Sequence, residues 1–86
     1  MSTAETPLII VVPREADTAE KRVALVPTSV AVLIKGGAVV RIEANAGLAA
    51  GFPDAQYVEK GAEIYVDRAE LFRKADIVLQ VRALGA

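Results

Sequence analysis

The hydrophobic pattern divides the chain into four short apolar runs, with polar or helical segments between them. The first run, residues 8–12 (LIIVV), is continuous and β-branched and ends at Pro13. Such a run is typical of a strand that is buried on both faces, as in a parallel sheet. We therefore expect this strand to be central in a sheet. Three later runs, residues 38–44, 62–66 and 77–81, predict further strands.

Three helices are predicted between these strands. Pro27 suits the first turn of a helix that follows a polar loop and ends at the glycine pair 36–37. A short helix is predicted over residues 55–60, and it needs support from packing because six residues do not hold a helix in isolation. Asp67, with Glu70 three residues later, has the pattern of a capped start for the third helix.

The alternating order of strands and helices predicts an α/β fold. Right-handed crossovers turn this order into a parallel sheet with helices on both faces, which is a Rossmann-like or flavodoxin-like arrangement. We expect residues 8–86 to form this sheet and residues 1–7 to be disordered. The fourth strand reads as buried, so the sheet is expected to be unfinished and to form the N-terminal part of a larger domain.

Composition narrows the possible functions. Hydrophobic residues make up 53% of the chain but aromatic residues only 5%, which suggests aliphatic surfaces that something outside this chain covers. The net charge of −1 argues against a nucleic-acid binder or a polybasic membrane anchor. Cysteine and histidine are absent, which excludes thiolate or histidine metal sites and imidazole catalysis within these residues. With no signal peptide or membrane span in the pattern, we expect a cytoplasmic chain that does not insert into a membrane.

Three arginines are placed at the same edge of the predicted sheet. Arg14 follows strand one, Arg22 lies in the next loop, and Arg82 follows strand four. Ligands of open parallel sheets gather at the carboxyl ends of the strands, and guanidinium groups suit carboxylates or phosphates. The alternative for Arg22 is an ion pair with an acidic residue of its own loop, which contributes about 0 to 1 kcal/mol.

Several other residues are assigned structural roles. Gly47 and Gly51 predict a turn, because the G-x-G-x-x-G run of a dinucleotide-binding loop is absent. Asp54, Asp67 and Asp76 lie near the starts of elements, which favours capping or turn roles over catalysis.

The two tyrosines, Tyr57 and Tyr65, fall on faces that look half buried. We expect both to pack in the core or at its rim.

As a set, five ordered motifs resemble the N-terminal segment shared by alanine dehydrogenases and the α subunit of the proton-translocating NAD(P) transhydrogenase. The resemblance extends over essentially all of residues 8–82. The motifs are VPRE (12–15), RVALVP (22–27), NAGLAAGF (45–52), the Y-x-x-x-G-A-x-I stretch (57–64) and ADIVLQV (75–81).

This resemblance implies a two-domain subunit in which the present chain opens the outer domain. NAD would be bound mainly by a second domain, absent here, that carries a glycine-rich site. In the alanine dehydrogenase branch, the arginine matching Arg22 holds the substrate carboxylate, with help from a lysine at the position of Arg82. No catalytic residue is assigned within this chain, which on its own is expected to be inactive.

Two departures from the family pattern bear on the branch and on stability. Alanine dehydrogenases usually have Lys-Val-Lys where this chain has Gln80-Val81-Arg82, which weakens the case for amino-acid oxidation and favours the transhydrogenase branch. Val26 replaces the usual Thr or Ser and removes a helix-capping oxygen, at a cost of about 0.5 to 2 kcal/mol unless Thr28 or Ser29 takes over the cap.

The leading interpretation is the N-terminal part of the NAD(H)-binding α subunit of transhydrogenase, in which hydride passes between NADH and NADP⁺ and proton translocation is coupled to the transfer. The expected partners are the membrane and NADP-binding subunits and a second copy of the chain as a homodimer, at the inner membrane surface. One alternative is the N-terminal segment of an NAD-dependent alanine dehydrogenase, with Arg22 and Arg82 as a carboxylate clamp. Another is a stand-alone, non-catalytic binding module.

Overall fold

The computed structural model describes residues 7–15 and 23–80 of the chain. Within these residues strands and helices alternate as the sequence predicts, and a single 3₁₀ turn, Leu48–Ala50, lies in the loop after the second strand. The elements are β1 (Ile9–Val12), α1 (Pro27–Lys35), β2 (Val39–Glu43), α2 (Asp54–Glu59), β3 (Glu63–Tyr65), α3 (Arg68–Phe72) and β4 (Ile77–Val78).

The four strands form one parallel sheet in the order β3-β2-β1-β4. β1 is central, because Ile10 lies opposite Val40 of β2 on one side and opposite Ile77 of β4 on the other. Ile10, Val11 and Val12 are all buried, as expected for a β-branched strand covered on both faces. The predicted parallel α/β fold and the central position of the first strand are confirmed.

The helices cover both faces of the sheet. α1 and α2 contact each other and pack on the face that carries Val12, Val40 and Ile42. The strands β2 and β3 lie on one side of β1, whereas β4 lies on the other side, so the chain reverses its direction across the sheet between β3 and β4. A right-handed crossover in this direction places α3 on the face opposite to α1 and α2. There α3 contacts β2 and β3, and its Leu71 is fully buried.

The ends of the helices follow the local sequence signals. Pro27 is the first residue of α1, and Gly37, with a φ of 98°, follows the end of that helix. Asp67 caps α3, because its Oδ1 accepts hydrogen bonds from the N–H groups of Ala69 at 2.9 Å and Glu70 at 3.4 Å. The capped start of this helix is confirmed.

Two predictions concern the ends of the chain: the structure contradicts one of them, and the other lies almost entirely outside the described residues. β4 was expected to be buried, but Ile77 and Val78 are 38% and 43% exposed. The physical reason is that β4 is the outer strand and pairs within the described residues only with β1. The expected disorder of residues 1–7 falls, apart from Pro7, outside the described residues. Within the ranges described, no helix is long and apolar enough to cross a bilayer.

Candidate cleft at the carboxyl edge of the sheet

The predicted arginine site is only partly within the described residues. Arg14 follows β1 at the carboxyl edge, as expected, and its side chain is exposed. Arg22 and Arg82 lie outside the described residues, so their convergence with Arg14 stays a prediction. Gln80, two residues after β4, is half-buried at the same edge.

A buried carboxylate lies at this edge beside Arg14. Glu43 ends β2 and is only 7% exposed. Its alternation with Val40 and Ile42, which face α1 and α2, places it on the α3 face of the sheet. An unpaired charge at this depth would be costly, so the hydrogen-bond partners of Glu43 decide whether it is stable there.

Arg68, the first residue of α3, supplies the main partner for Glu43. Its Nη2 lies 2.8 Å from Oε1 and its Nε 3.4 Å from Oε2, which is the two-pronged geometry that a guanidinium group favours with a carboxylate. The Arg14 backbone N–H also donates to Oε1, at 2.7 Å. The buried negative charge of Glu43 is therefore compensated by a guanidinium group and by a backbone N–H donor.

The same pair fixes the carbonyl of Arg14. Arg68 Nη2 donates to the Arg14 carbonyl oxygen at 3.0 Å, while Glu43 accepts from the Arg14 N–H. Both backbone polar groups of the residue after β1 are thus held by side chains from β2 and α3. The backbone is fixed at the point where the chain leaves the sheet.

These contacts also set the charge of Glu43. Burial acts to raise the pKa of the carboxyl, but the hydrogen bonds from Arg68 and from the Arg14 N–H, together with the positive charges of both arginines, outweigh it. The net effect holds the pKa of Glu43 below its usual value of 4.5. Glu43 is therefore ionised at neutral pH and keeps Arg68 in place.

A second side-chain contact holds the chain where it enters α1. Tyr57 of α2 is fully buried, and its hydroxyl donates to the Leu25 carbonyl oxygen at 2.8 Å. Burial, and secondarily the charge of Asp54, raises the pKa of Tyr57 to about 12. The phenol is therefore neutral and acts as a buried hydrogen-bond donor. The expectation of core packing for this tyrosine is confirmed.

The loop after β2 is shaped around Tyr57. A Cβ added at Gly47 would lie 2.7 Å from Tyr57 Cε2, so the space beside this glycine is filled by the tyrosine ring. Gly51 has a φ of 94° and ends the 3₁₀ turn. The prediction of a turn is confirmed, and a loop whose glycine faces a tyrosine ring does not fit the pyrophosphate of a dinucleotide.

The aspartates have the structural roles expected of them. Asp54 Oδ1 accepts from the Asn45 N–H at 2.8 Å, and Asp76 Oδ2 accepts from the Ile9 N–H at 2.8 Å. Together with the cap at Asp67, these contacts fix the loop after β2 and the start of β1. Their carboxylates are committed to backbone donors.

Neither Glu43 nor Arg68 is predicted from the sequence as a member of this edge. One signal was present: in the run VVRIE of β2, Arg41 and Glu43 occupy alternate positions and so share a face. Charged side chains at alternate positions of a central strand need partners on that face. The identity of the partner, 25 residues away, has no local signal.

The fold and its edge define a parallel α/β domain with ion-paired side chains at the carboxyl ends of the strands. The model of the family described as "Alanine dehydrogenase/PNT, N-terminal domain" matches residues 11–86. The chain belongs to this family. The resemblance inferred from the five motifs is confirmed.

Relatives from both branches of the family are similar to the chain. The alanine dehydrogenase of Methanococcus maripaludis is 37% identical over 75 residues, which are 87% of this chain and 20% of that protein. The NAD(P) transhydrogenase subunit alpha of Cereibacter sphaeroides is 46% identical over 70 residues, which are 81% of this chain and 13% of that protein. The chain thus spans a fifth or less of the length of these relatives.

Solved structures from both branches are also similar to this chain. An L-alanine dehydrogenase superimposes with a TM-score of 0.79 at 37% identity, covering 85% of this chain and 20% of that one. A transhydrogenase from Sinorhizobium meliloti gives 0.77 at 36% identity, covering 84% and 20%. The fold is therefore common to the two branches, and similarity of the backbone does not separate them.

Proposed function

We propose that this chain is the N-terminal part of the NAD(H)-binding α subunit of a proton-translocating NAD(P) transhydrogenase. In this reaction hydride passes from NADH to NADP⁺, giving NAD⁺ and NADPH, and a membrane portion couples the transfer to proton movement. The observation that carries the proposal is Gln80, which stands at the carboxyl edge where alanine dehydrogenases usually have the first lysine of Lys-Val-Lys. The second lysine of that run, which helps to hold the substrate carboxylate, matches Arg82, and a planar guanidinium does not replace a point-like ammonium neutrally in a tight polar site.

Arg68, the other cation described at this edge, is engaged within the domain. Its Nε and Nη2 point at Glu43 and at the Arg14 carbonyl oxygen, so the two-pronged side of this guanidinium is already used within the domain. Of the cations described at this edge, Arg14 is the one with an exposed side chain and no such commitment. Arg68 is therefore not a free ligand for a substrate carboxylate, and the predicted clamp residues Arg22 and Arg82 lie outside the described residues.

In the proposed subunit, this chain shapes one wall of the cleft in which hydride transfer takes place. Glu43 and Arg68 hold the tip of β1, and Tyr57 holds the segment that enters α1, so the polypeptide between them has fixed ends. NAD would supply the hydride chemistry and would be bound mainly by a second domain of the full protein. That assignment agrees with the loop at Gly47, which is filled by Tyr57.

The proposal also includes the partners and the location of the full protein. The full protein would form a homodimer, meet an NADP-binding subunit across the cleft, and stay at the inner membrane surface through the membrane subunit. The test is to purify the full-length protein, add an NADP-binding subunit and follow reduction of an NAD⁺ analogue by NADPH. Transfer that depends on both proteins supports the proposal, and no transfer with a partner shown to bind NADPH contradicts it.

An alanine dehydrogenase is the second candidate, because relatives and solved structures of that branch resemble the chain about as well as those of the transhydrogenase branch do. In that case Arg22 and Arg82 would clamp the substrate carboxylate while alanine is oxidised to pyruvate and ammonia. Arg22→Ala separates the two functions in the full-length protein. A carboxylate clamp predicts a large loss of turnover and of substrate binding, whereas hydride exchange between dinucleotides should change little.

A stand-alone binding module remains the non-enzymatic alternative. It predicts that the 86 residues form a monodisperse monomer that unfolds cooperatively, which size-exclusion chromatography and denaturation would measure. Aggregation or loose packing of the isolated chain is expected instead if the exposed aliphatic side chains of β4 are normally covered.

A further inference from the structure

A second group of cations lies at the other end of α3 from Arg68. It surrounds an open cavity of about 180 Å³ beside the end of α3 that leads towards β4. Every side chain that lines the cavity carries a polar group. The lining residues are Arg41, Tyr65, Glu70, Arg73 and Lys74.

Arg41 forms the floor of this cavity and is unusually buried for an arginine. Its side chain is 19% exposed, its Nη1 donates to the Arg73 carbonyl oxygen at 2.9 Å, and its guanidinium carbon lies 5.1 Å from the centre of the Tyr65 ring. Its Nε is buried and has no hydrogen-bond acceptor among the described residues, since Glu63 Oε1, at 3.4 Å, is not in hydrogen-bonding geometry. A buried charged donor without an acceptor is unfavourable. The charge of Arg41 is therefore paired with Glu63, while one of its donors lacks an acceptor.

Two more cations stand at the mouth of the cavity. Arg73 is largely exposed and lies 3.5 Å from Glu70, at a distance and exposure where an ion pair contributes little. Lys74 has no ion pair within 4.0 Å among the described residues. It also has a φ of 60°, a conformation that usually belongs to glycine or asparagine at helix ends. A lysine held in this conformation places a third positive charge beside the other two.

We propose that this cavity binds a phosphate group. Three cations are set against two carboxylates, Glu70 in the lining and Glu63 beside Arg41, so the local charge is positive. The planar guanidinium group of Arg73 offers paired donors that match two phosphate oxygens, and the Lys74 ammonium offers a point charge for a third. Arg41, whose Nη1 and Nε are already committed or buried, adds positive charge from below. The cavity admits one such group, while its open side leaves room for the rest of a larger ligand.

This site is separate from the proposed cleft. It shares the α3 face with Glu43 and Arg68, and Tyr65 lies opposite Glu43 in the sheet, but none of its lining side chains is hydrogen-bonded or ion-paired to the side chain of either residue in the described structure. Phosphate binding here is therefore independent of whether the full protein transfers hydride or oxidises alanine.

The experiment is a titration of the full-length protein with inorganic phosphate at constant ionic strength, with sodium chloride as the balancing salt. Isothermal titration calorimetry gives the affinity, and the thermal midpoint should rise with the logarithm of phosphate concentration once the site is saturated. Arg73→Gln and Lys74→Gln each remove one donor from an exposed position and should weaken binding about tenfold. Lys35→Gln, an equal change of charge on α1 at the other face, is the matched control and should leave the affinity unchanged.

The two exposed variants decide the outcome, because Arg41→Gln also disturbs a buried packing contact. Adenosine monophosphate provides a second arm: binding as tight as that of inorganic phosphate indicates the phosphate end of a larger ligand, and weaker binding indicates free phosphate. Either result supports the site when Arg73→Gln and Lys74→Gln reduce it. The proposal is overturned if chloride has the same effect as phosphate, if no saturable binding occurs, or if both variants bind with the affinity of the wild type.

Discussion

The backbone N–H of Arg14 lies 2.7 Å from Oε1 of Glu43, which joins the tip of β1 to the end of β2 through a buried carboxylate. Arg68 completes the contact by binding the same carboxylate and the Arg14 carbonyl oxygen. The carboxyl edge of the sheet is thus held by charge and hydrogen bonding as well as by packing. The point where the chain leaves β1 depends on two side chains from elsewhere in the fold.

Glu43→Gln is expected to loosen this edge. The amide keeps an acceptor oxygen but loses the charge that compensates Arg68. The free energy of unfolding should therefore fall by about 1 to 2 kcal/mol at neutral pH. Hydrogen exchange of the Arg14 amide should speed up, because its N–H loses a charged acceptor. Glu59→Gln, on the exposed surface of α2, is the control and should leave Arg14 exchange unchanged.

The pH dependence of that difference follows from the lowered pKa of Glu43. A carboxyl whose pKa is lower in the folded state stabilises the fold above its unfolded pKa, near 4.5, and loses this contribution as pH falls through the folded value. The gap in unfolding free energy between wild type and Glu43→Gln should therefore shrink on acidification below about pH 4.5. A gap that stays constant into strong acid would contradict the charge-based account.

Tyr57→Phe is expected to cost about 1 to 2 kcal/mol, because it leaves the Leu25 carbonyl oxygen buried without its donor. Tyr65→Phe is the control: its hydroxyl makes only an exposed 3.3 Å contact with Glu63, so its loss should change stability by less than about 0.5 kcal/mol. Urea denaturation at neutral pH measures both. Equal effects of the two substitutions would show that the buried hydrogen bond is not what stabilises this region.

Alkaline pH gives a second test of Tyr57. The folded pKa of about 12 exceeds the ordinary value of 10.0, so the folded state keeps its proton when the unfolded state has lost it. Stability from this group is complete below pH 10.0 and is lost as pH rises towards 12. The wild type should therefore lose more stability than Tyr57→Phe across this range, and identical alkaline slopes would be inconsistent with a buried neutral phenol.

Val26→Thr is expected to stabilise the domain. Val26 is the N-cap of α1, has extended backbone angles and provides no side-chain hydrogen bond to the helix. Threonine has nearly the same shape and adds an oxygen that can accept from the first turn, which should raise the free energy of unfolding by about 0.5 to 1 kcal/mol. Val32→Thr makes the same exchange at a 70% exposed position within α1 and should bring no gain.

Gly47→Ala is expected to be destabilising by about 1 to 3 kcal/mol, because the added Cβ would overlap the Tyr57 ring in a closely packed part of the core. Gly36→Ala is the control, since a Cβ there would meet its nearest atom, the Leu33 carbonyl oxygen, at an ordinary 3.4 Å. Thermal unfolding of the two variants makes the comparison. A harmless Gly47→Ala would mean that the loop does not need glycine to accommodate Tyr57.

Much of the fold could be predicted because its signals are local. The β-branched run before Pro13 indicates a central strand, and Asp67 followed by Glu70 indicates a helix start; both patterns act through neighbours in sequence. The exposure of Ile77 was not predictable in this way, since an apolar run does not reveal whether its strand lies inside or at the edge of a sheet.

The contacts of the site could be predicted from the sequence less completely than the fold. The arginine edge was inferred from the rule that parallel strands present their carboxyl ends together, and the position of Arg14 agrees with it. The contact between Glu43 and Arg68 depends on the crossover that brings the start of α3 over the end of β2, which no spacing in the sequence encodes. The role of Tyr57 similarly depends on how α2 packs against the segment before α1.

The central claim is that the full protein belongs to the transhydrogenase branch, and its most direct test is the rate of NAD⁺ reduction by L-alanine. The assay follows nicotinamide absorbance with purified full-length protein, at saturating alanine and NAD⁺, beside an authentic alanine dehydrogenase. The account predicts no reduction above the rate without alanine. Alanine-dependent formation of NADH and pyruvate in equal amounts would contradict it.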